Sequence, residues 1–227
     1  MSLVVSNLSG GYGQQNVLQD VSFEIASGEV MALIGLNGSG KSTTINHLIG
    51  LLAPTRGQIT LNGVTLTEDP IAYKKQIAYI PEQPVIYPEL TVQQHIQLMI
   101  DTYGLDNDSA WMRAKELLHL FRLDNKEQWY PTHFSKGMRQ KLMIVMAFTL
   151  DAKLYIIDEP FLGLDVVAVD HLLALMAEKK ATGASILVTT HMVEKLAELA
   201  DNFVYLEHGQ VTSHGKLVDY VDPREAR

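Results

Sequence analysis

Cysteine is absent from the 227-residue sequence, which excludes a disulfide scaffold, a thiol nucleophile and a zinc or iron–sulfur site held by cysteine. A long apolar run is absent as well: the longest, Leu142 to Phe148, has seven residues, whereas a membrane span needs about 18. No lysine or arginine precedes Lys41, so the start of the chain does not resemble a secretory signal peptide. From these absences we expect a cytoplasmic protein.

Basic residues are fewer than acidic ones, with 18 lysines and arginines against 26 aspartates and glutamates and a net charge of −8. We do not expect so acidic a chain to bind nucleic acid. Hydrophobic residues make up 47% and charged residues 19%, which excludes general disorder. At about 150 residues per domain, the length allows one large domain, or one core with a modest subdomain.

The two ends of the chain alternate between strand and helix patterns. Val30 to Ile34 is a short apolar run typical of a strand buried on both faces, and a helix is predicted from Lys41 to about Leu52. The elements predicted after residue 150 are a strand at Leu154–Ile157, a helix at Val166–Lys180, a strand at Ser185–Thr190, a helix at Met192–Ala200 and a hairpin that turns at His208-Gly209.

The middle of the chain, from about residue 84 to residue 150, is predicted to be helical. A first helix is predicted around residues that share one helical face: Trp111, Ala114, Leu117, Leu118 and Phe121. A second long helix is predicted from Ser135 to Thr149. Alternating strands and helices on both sides of an all-helical block predict an α/β core with a helical insertion.

A glycine-rich loop lies between the predicted buried strand and the helix after it. Residues 35–42, Gly-Leu-Asn-Gly-Ser-Gly-Lys-Ser, match the pattern G-x-x-x-x-G-K-[ST]. Glycines let the backbone curl so that N–H groups converge on phosphate oxygens, and the helix N-terminus adds partial positive charge. Lys41 would reach the β- and γ-phosphates of a nucleotide, and Ser42 would ligate Mg²⁺. The alternative is a glycine-rich turn with an incidental lysine, which the strand–loop–helix context disfavours.

Two acids follow the apolar strand Leu154–Ile157. Neighbouring side chains of a strand point apart, so Asp158 can hold Mg²⁺ through its water shell while Glu159 polarises an attacking water. His191 comes after the next core strand, where it would contact a γ-phosphate. The alternatives are a solvated Asp-Glu pair in a loop and a structural histidine.

Three further segments carry a family resemblance. Residues 135–140, Ser-Lys-Gly-Met-Arg-Gln, look like the signature usually written LSGGQ, Leu164-Asp165 looks like the D-loop, and residues 80–84, Ile-Pro-Glu-Gln-Pro, lie where the Q-loop is found. Together with the phosphate loop and the two acids, in this order, they resemble the ATP-binding subunit of ABC transporters over nearly the whole chain. Within that family, the sequences YIPEQPVIYPELT and FSKGMRQK are most similar to Ecs-type bacterial exporter ATPases.

The resemblance implies an α/β fold: a P-loop NTPase core of the RecA type with an antiparallel β subdomain and an inserted α-helical subdomain. Residues 1–227 would form a single ABC ATPase domain. The catalytic core with its β subdomain would occupy 1–83 and 151–227, and the helical subdomain with the signature would occupy 84–150.

The resemblance also implies an ATP hydrolase. The catalytic residues would be Lys41, Glu159 and His191, the last as the switch histidine. The residues expected to bind ATP are Tyr12, stacked on adenine, and Asn37, Gly38, Ser39, Gly40, Lys41, Ser42, Thr43, Ser135, Gly137 and Asp165. Ser42, Asp158, Glu82 and Gln83 are expected at Mg²⁺.

Two segments depart from the family pattern. Counting back from Tyr87-Pro88 aligns the expected Q-loop glutamine with Glu82, whereas Gln83 is one residue late, and the sequence leaves both open. In the signature, Lys136 replaces a glycine and Met138 replaces a glutamine. Ser135 and Gly137 remain, and a helix N-terminus still begins there, so an anion site is retained.

In this family, the phosphate loop of one subunit faces the signature of another, with ATP between them. The resemblance therefore implies a second cassette, most simply in a homodimer, and separate transmembrane permease subunits that hold the protein at the inner face of the cell membrane. The leading hypothesis is a subunit that powers a bacterial exporter through ATP-driven dimerisation. A soluble ABC ATPase of translation or DNA repair is one alternative, disfavoured by the single cassette and the lack of a coiled coil. A scaffold with little turnover is another, disfavoured by Glu159.

Overall fold

The computed structural model describes residues 3–13 and 15–221. Within these ranges the chain forms two β-sheets and six α-helices. The strands are β1 (Leu3–Tyr12), β2 (Gln15–Ile25), β3 (Val30–Ile34), β4 (Arg56–Leu61), β5 (Val64–Thr65), β6 (Ile77–Ile80), β7 (Leu154–Asp158), β8 (Ser185–Thr189), β9 (Asn202–Glu207) and β10 (Gln210–Lys216). The helices are α1 (Lys41–Leu48), α2 (Pro70–Lys74), α3 (Val92–Tyr103), α4 (Asn107–Leu120), α5 (Lys136–Thr149) and α6 (Val166–Ala181).

A six-stranded sheet in the order β10-β9-β3-β8-β7-β6 forms the centre of the molecule. The pairings from β9 to β6 are parallel, and β10 joins β9 as an antiparallel hairpin. All residues of β3, β7 and β8 are buried, as expected for strands covered on both faces. Because parallel strands end at the same edge, the loops that follow these three strands lie side by side.

The side chains of β3 divide the hydrophobic core into two layers. Val30, Ala32 and Ile34 pack among the helices, whereas Met31 and Leu33 face the second sheet. That sheet is antiparallel, in the order β2-β1-β4-β5, and packs its apolar face over α1 and the central sheet. The alternation follows from the two-residue period of a strand. The predicted α/β fold is confirmed.

The middle of the chain is helical. Thr91 caps α3 in a capping box with Gln94, and Ser135 caps α5 by accepting a hydrogen bond from the Met138 N–H group. The predicted face of α4 is correct: Ala114, Leu117, Leu118 and Phe121 are buried, and Trp111 is half-buried. The division of the chain at residues 83/84 and 150/151 stays a prediction.

Two predicted helices are wrong in extent. The helix expected to reach Leu52 ends at Leu48, because the N–H group of Leu51 turns back to the carbonyl of Asn46 at 2.8 Å and closes the helix. The helix expected at Met192–Ala200 is a single 3₁₀ turn, Val193–Leu196. The predicted strands at β7 and β8, helix α6 and the hairpin at His208-Gly209 are present. Within the described ranges, no helix has the length and apolar character that a membrane span requires.

Candidate active site

The loop between β3 and α1 has a backbone that suits its position. Gly40 has φ 112°, a conformation that side chains with a Cβ atom rarely adopt, and a Cβ there would lie 2.7 Å from Leu18 Cδ2. α1 begins directly afterwards, at Lys41. Its first N–H groups lack partners within the helix and carry partial positive charge. The loop therefore presents backbone donors to an anion.

Lys41 is folded back over this loop. Its Nζ atom donates to the carbonyl of Gly35 at 2.6 Å and to that of Leu36 at 3.3 Å. Burial lowers the pKa of the Lys41 ammonium, and the nearby carboxylates of Glu159, Asp158 and Glu82 oppose that shift. The ammonium is therefore held among oxygen atoms at the mouth of the loop.

A cavity of about 370 Å³ gathers residues from five separate parts of the sequence. It is lined by Val17, Leu36, Asn37, Gly38, Ser39, Gly40, Lys41, Ser42, Thr43, Glu82, Asp158, Glu159, Leu162 and His191. The structure thus brings together the predicted phosphate loop, both predicted acids, the predicted histidine and Glu82. A larger cavity of about 550 Å³ adjoins it and shares Leu36 and His191.

Asp158 is positioned by the neighbouring strand. It is the last residue of β7 and pairs with Thr189 at the end of β8, whose hydroxyl donates to Asp158 Oδ1 at 2.5 Å. Burial raises the pKa of the Asp158 carboxyl, while the Thr189 hydrogen bond opposes this rise. Thr189 is fully buried and is absent from the sequence-based site. Its only signal in the sequence is a hydroxyl at the end of an apolar strand, two residues before His191.

Glu159 turns sharply out of β7. Its φ of 45° is left-handed, and its N–H group bonds to the carbonyl (3.1 Å) and hydroxyl (3.0 Å) of Thr189. Its carboxylate accepts from the backbone N–H of His191 at 3.2 Å, and Oε1 lies 3.2 Å from His191 Nε2 without the geometry of a hydrogen bond. Burial raises the pKa of Glu159, and the His191 ring opposes the rise. The two residues form a unit at the cavity wall.

The geometry distinguishes Glu82 from Gln83. Glu82 lines the cavity, and its charge acts on Lys41 and Asp158. Gln83 is exposed and is not among the lining residues. Of the two candidates, Glu82 is therefore the one that lines the cavity, and its role in a Q-loop stays a prediction.

The oxygen atoms of Ser42, Asp158 and Glu82 suit Mg²⁺, which prefers oxygen ligands and retains several waters. Across residues 3–13 and 15–221, no group of three or more His, Cys, Asp or Glu side chains could hold a metal alone. These oxygen atoms therefore suit a metal ion that is bound partly by phosphate oxygens, and not one that is bound by protein side chains alone.

Four predicted ATP-binding residues lie outside this cavity: Tyr12, Ser135, Gly137 and Asp165. Tyr12 is 53% exposed, and its hydroxyl accepts from Asn46 Nδ2 at 2.9 Å. Ser135 caps α5. The phosphate loop and the signature are therefore separate surfaces of one chain.

The signature helix α5 is joined to the D-loop. A Cβ on Gly137 would lie 2.6 Å from the carbonyl oxygen of Gly163, so only glycine allows this approach. Lys141 Nζ lies 2.6 Å from the Asp165 carboxylate, whose other oxygen caps α6 by accepting from the Ala168 N–H group at 2.9 Å. The hydrogen bond from Lys141 lowers the pKa of Asp165. Asp165 is therefore engaged within its own chain.

A parallel sheet that ends in a glycine-rich loop, a helix and two buried acids defines a P-loop nucleotide-binding protein. Residues 18–162 match the ABC transporter family, and the chain belongs to that family as an ATP-binding subunit. The predictions of this family and of an ATP hydrolase that powers a transporter are confirmed.

The relatives are similar over most of their length. The chain is 49% identical to the ABC-type transporter ATP-binding protein EcsA of Bacillus subtilis (strain 168), over 96% of this chain and 88% of that one. It is 35% identical to the SkfA peptide export ATP-binding protein SkfE of the same organism, over 91% and 86%. A solved structure of an ATP-binding subunit of an ABC transporter matches with a TM-score of 0.93 and 52% identity, over 96% of this chain and 91% of that one.

Proposed function

We propose that this chain powers a bacterial exporter by binding Mg²⁺-ATP between two copies and hydrolysing it. The observation that carries the proposal is the single cavity that unites the phosphate loop with Glu82, Asp158, Glu159 and His191. The similarity to EcsA and to a peptide export protein supports export as the direction of transport.

Within one subunit, each group has a separate task. Lys41 and the N–H groups of residues 37–43 bind the phosphates, and Tyr12 stacks on the base. When bound, Mg²⁺ offsets charge on the phosphate oxygens, and Ser42, Asp158 and Glu82 hold it.

The hydrolytic water is oriented by Glu159, which is buried, and by His191, whose side chain is about half exposed. Burial favours the protonated form of Glu159, while the His191 N–H group and the Lys41 charge favour its ionised form, the form that can accept a proton from water. His191, held next to Glu159, contacts the γ-phosphate.

The site is completed by a second copy. Ser135 and Gly137 lie outside the phosphate cavity of their own chain, and the start of α5 is a helix N-terminus that can accept an anion. ATP bound to Lys41 of one copy would therefore meet the signature of the other. Loss of the γ-phosphate removes that bridge and favours opening.

Transport requires permease subunits in the membrane. The stretch Glu82–Leu90, here the coupling segment, joins the cavity to the helical block and exposes Val85 and Tyr87, which are 63% and 55% exposed. We place the permease contact on this segment and the helical block. A polytopic membrane protein should accordingly co-purify with the chain from native membranes.

Glu159→Gln tests the proposal, with Lys41→Ala as its matched control. Glu159→Gln should bind ATP, release no phosphate and give a stable dimer at saturating ATP, because the carboxylate that accepts the proton is gone but the bridge remains. Lys41→Ala should neither dimerise nor release phosphate. Light scattering that shows a monomeric Glu159→Gln protein at saturating Mg²⁺-ATP would refute the dimer.

A further inference from the structure

The coupling segment is attached to a helix at each end, and its first half makes no hydrogen bonds of its own. Among the described residues, no hydrogen bond involves any of the stretch Glu82 to Ile86. The second half is ordered: the N–H group of Leu90 bonds to the carbonyl of Tyr87 at 3.1 Å, and Thr91 then caps α3. Four residues without hydrogen bonds, Gln83 to Ile86, therefore separate Glu82 in the cavity from Tyr87, the residue that is attached to α3.

His95 anchors the ordered end. It lies on α3, only 1% exposed, and its Nε2 atom accepts from the backbone N–H of Tyr87 at 2.9 Å. Its Nδ1 atom lies 2.8 Å from the carbonyl of Thr91, and since a carbonyl only accepts, Nδ1 carries the proton and Nε2 is the acceptor. The Tyr87 and His95 rings also contact each other, with centroids 5.9 Å apart. One hydrogen bond and a ring contact thus join Tyr87 to α3 through this side chain, and the bond to the Thr91 carbonyl, within the first turn of the helix, fixes the orientation of the ring.

The beginning of the segment is held from a different helix. Gln140 on α5 is 2% exposed, and its amide donates to the carbonyl of Pro81 at 3.5 Å. The segment thus starts against the signature helix and ends against α3. A displacement of Glu82 therefore acts on a short stretch of chain that is attached to α5 at its start and to α3 at Tyr87.

We propose that His95 is a positioning residue for ATP turnover: by fixing Tyr87 to α3, it makes Glu82 and the exposed Val85–Tyr87 surface respond together to the nucleotide. This rests on the proposed function, and His95 itself touches no reacting atom. An apolar residue would fill the same buried space, so packing alone does not call for a histidine with both ring nitrogens matched to backbone groups.

Two variants distinguish the hydrogen bond between His95 and the Tyr87 N–H group from the packing of the His95 ring. His95→Phe keeps an aromatic ring but has no acceptor, whereas His95→Gln places a carbonyl oxygen where Nε2 stands. In His95→Phe, amide exchange at Tyr87 should be faster by about five-fold or more while exchange within α3 is unchanged. The kcat for ATP should fall by a similar factor with KM within about two-fold, because no cavity residue is altered. His95→Gln should restore both toward wild type.

Hydrogen exchange followed by NMR and a phosphate-release assay give these values, and near-UV circular dichroism checks that each variant is folded. Unchanged Tyr87 exchange or unchanged kcat in His95→Phe would overturn the role of His95, and so would a His95→Gln protein no better than His95→Phe. If His95→Phe does not fold, His95→Gln with wild-type exchange and kcat supports the anchor, and loss of either overturns it. Absence of turnover in the wild-type protein would instead refute the proposed function.

Discussion

The contact between Lys141 and Asp165 allows a double-mutant cycle because Asp165 does two separable things. It pairs with Lys141 at 2.6 Å and caps α6 through Ala168. Loss of an N-cap costs about 1 kcal/mol. The Lys141 side chain is 14% exposed but that of Asp165 is 58% exposed, so solvent screening holds the ion pair to about 0.5 kcal/mol. Asp165→Ala should therefore destabilise the protein by about 1.5 kcal/mol, and Asp165→Ser, which keeps a capping oxygen, by about 0.5 kcal/mol.

Urea unfolding at neutral pH and low salt measures these differences. In a Lys141→Met background, Asp165→Ser should cost close to nothing, whereas Asp165→Ala should still cost about 1 kcal/mol for the lost cap. High salt should reduce the coupling between residues 141 and 165 and leave the cap unaffected, because salt screens exposed charge pairs.

Two outcomes would refute this reasoning. Equal costs of Asp165→Ser with and without Lys141 would show that the ion pair contributes nothing to stability. Equal costs of Asp165→Ala and Asp165→Ser would show that the cap does not stabilise α6.

Three further predictions concern other parts of the molecule. Burial lowers the pKa of His47 from 6.5, so as the pH falls the unfolded chain takes up a proton before the folded chain does, and the free energy of unfolding should decrease below pH 6.5. In His47→Asn the urea midpoint should therefore change less between about pH 7.5 and pH 5.5 than in the wild type. An unchanged dependence of the midpoint on pH would contradict this. Gly137→Ala should displace α5 from Gly163 and abolish phosphate release while nucleotide affinity of the monomer is kept, and full turnover would contradict it. Tyr12→Ala should weaken nucleotide binding in calorimetry by about 1–3 kcal/mol, and unchanged affinity would exclude stacking.

The features that sequence reveals here are those encoded within a few consecutive residues. The apolar run Val30–Ile34, the glycine-rich loop and Lys41 lie within 12 positions of one another, and strand, turn and helix signals there all agree. Asp158 and Glu159 follow directly from the strand they terminate. Such local patterns predict the order of elements and the phosphate loop.

The features that sequence does not reveal depend on register and on distant partners. Thr189 meets Asp158 only because β7 and β8 pair with these residues opposite each other. Likewise, only the structure shows that Glu82 lines the cavity and Gln83 does not. The two are neighbours on a loop, where no sequence periodicity tells which side chain points toward the site. A helix is expected at Met192–Ala200, but hydrogen bonds such as that from the Leu199 N–H group to the Leu196 carbonyl make short turns there instead.

The folded-back position of Lys41 has a consequence for the electrostatics of the loop. With the carbonyls of Gly35 and Leu36 as its partners, the ammonium has substitutes for phosphate oxygens within its own loop. These carbonyls compensate the partly buried charge, which would be costly without oxygen partners. The same two bonds tie the first residue of α1 to the first residues of the loop, so the ammonium also acts as a clasp that closes the loop on itself.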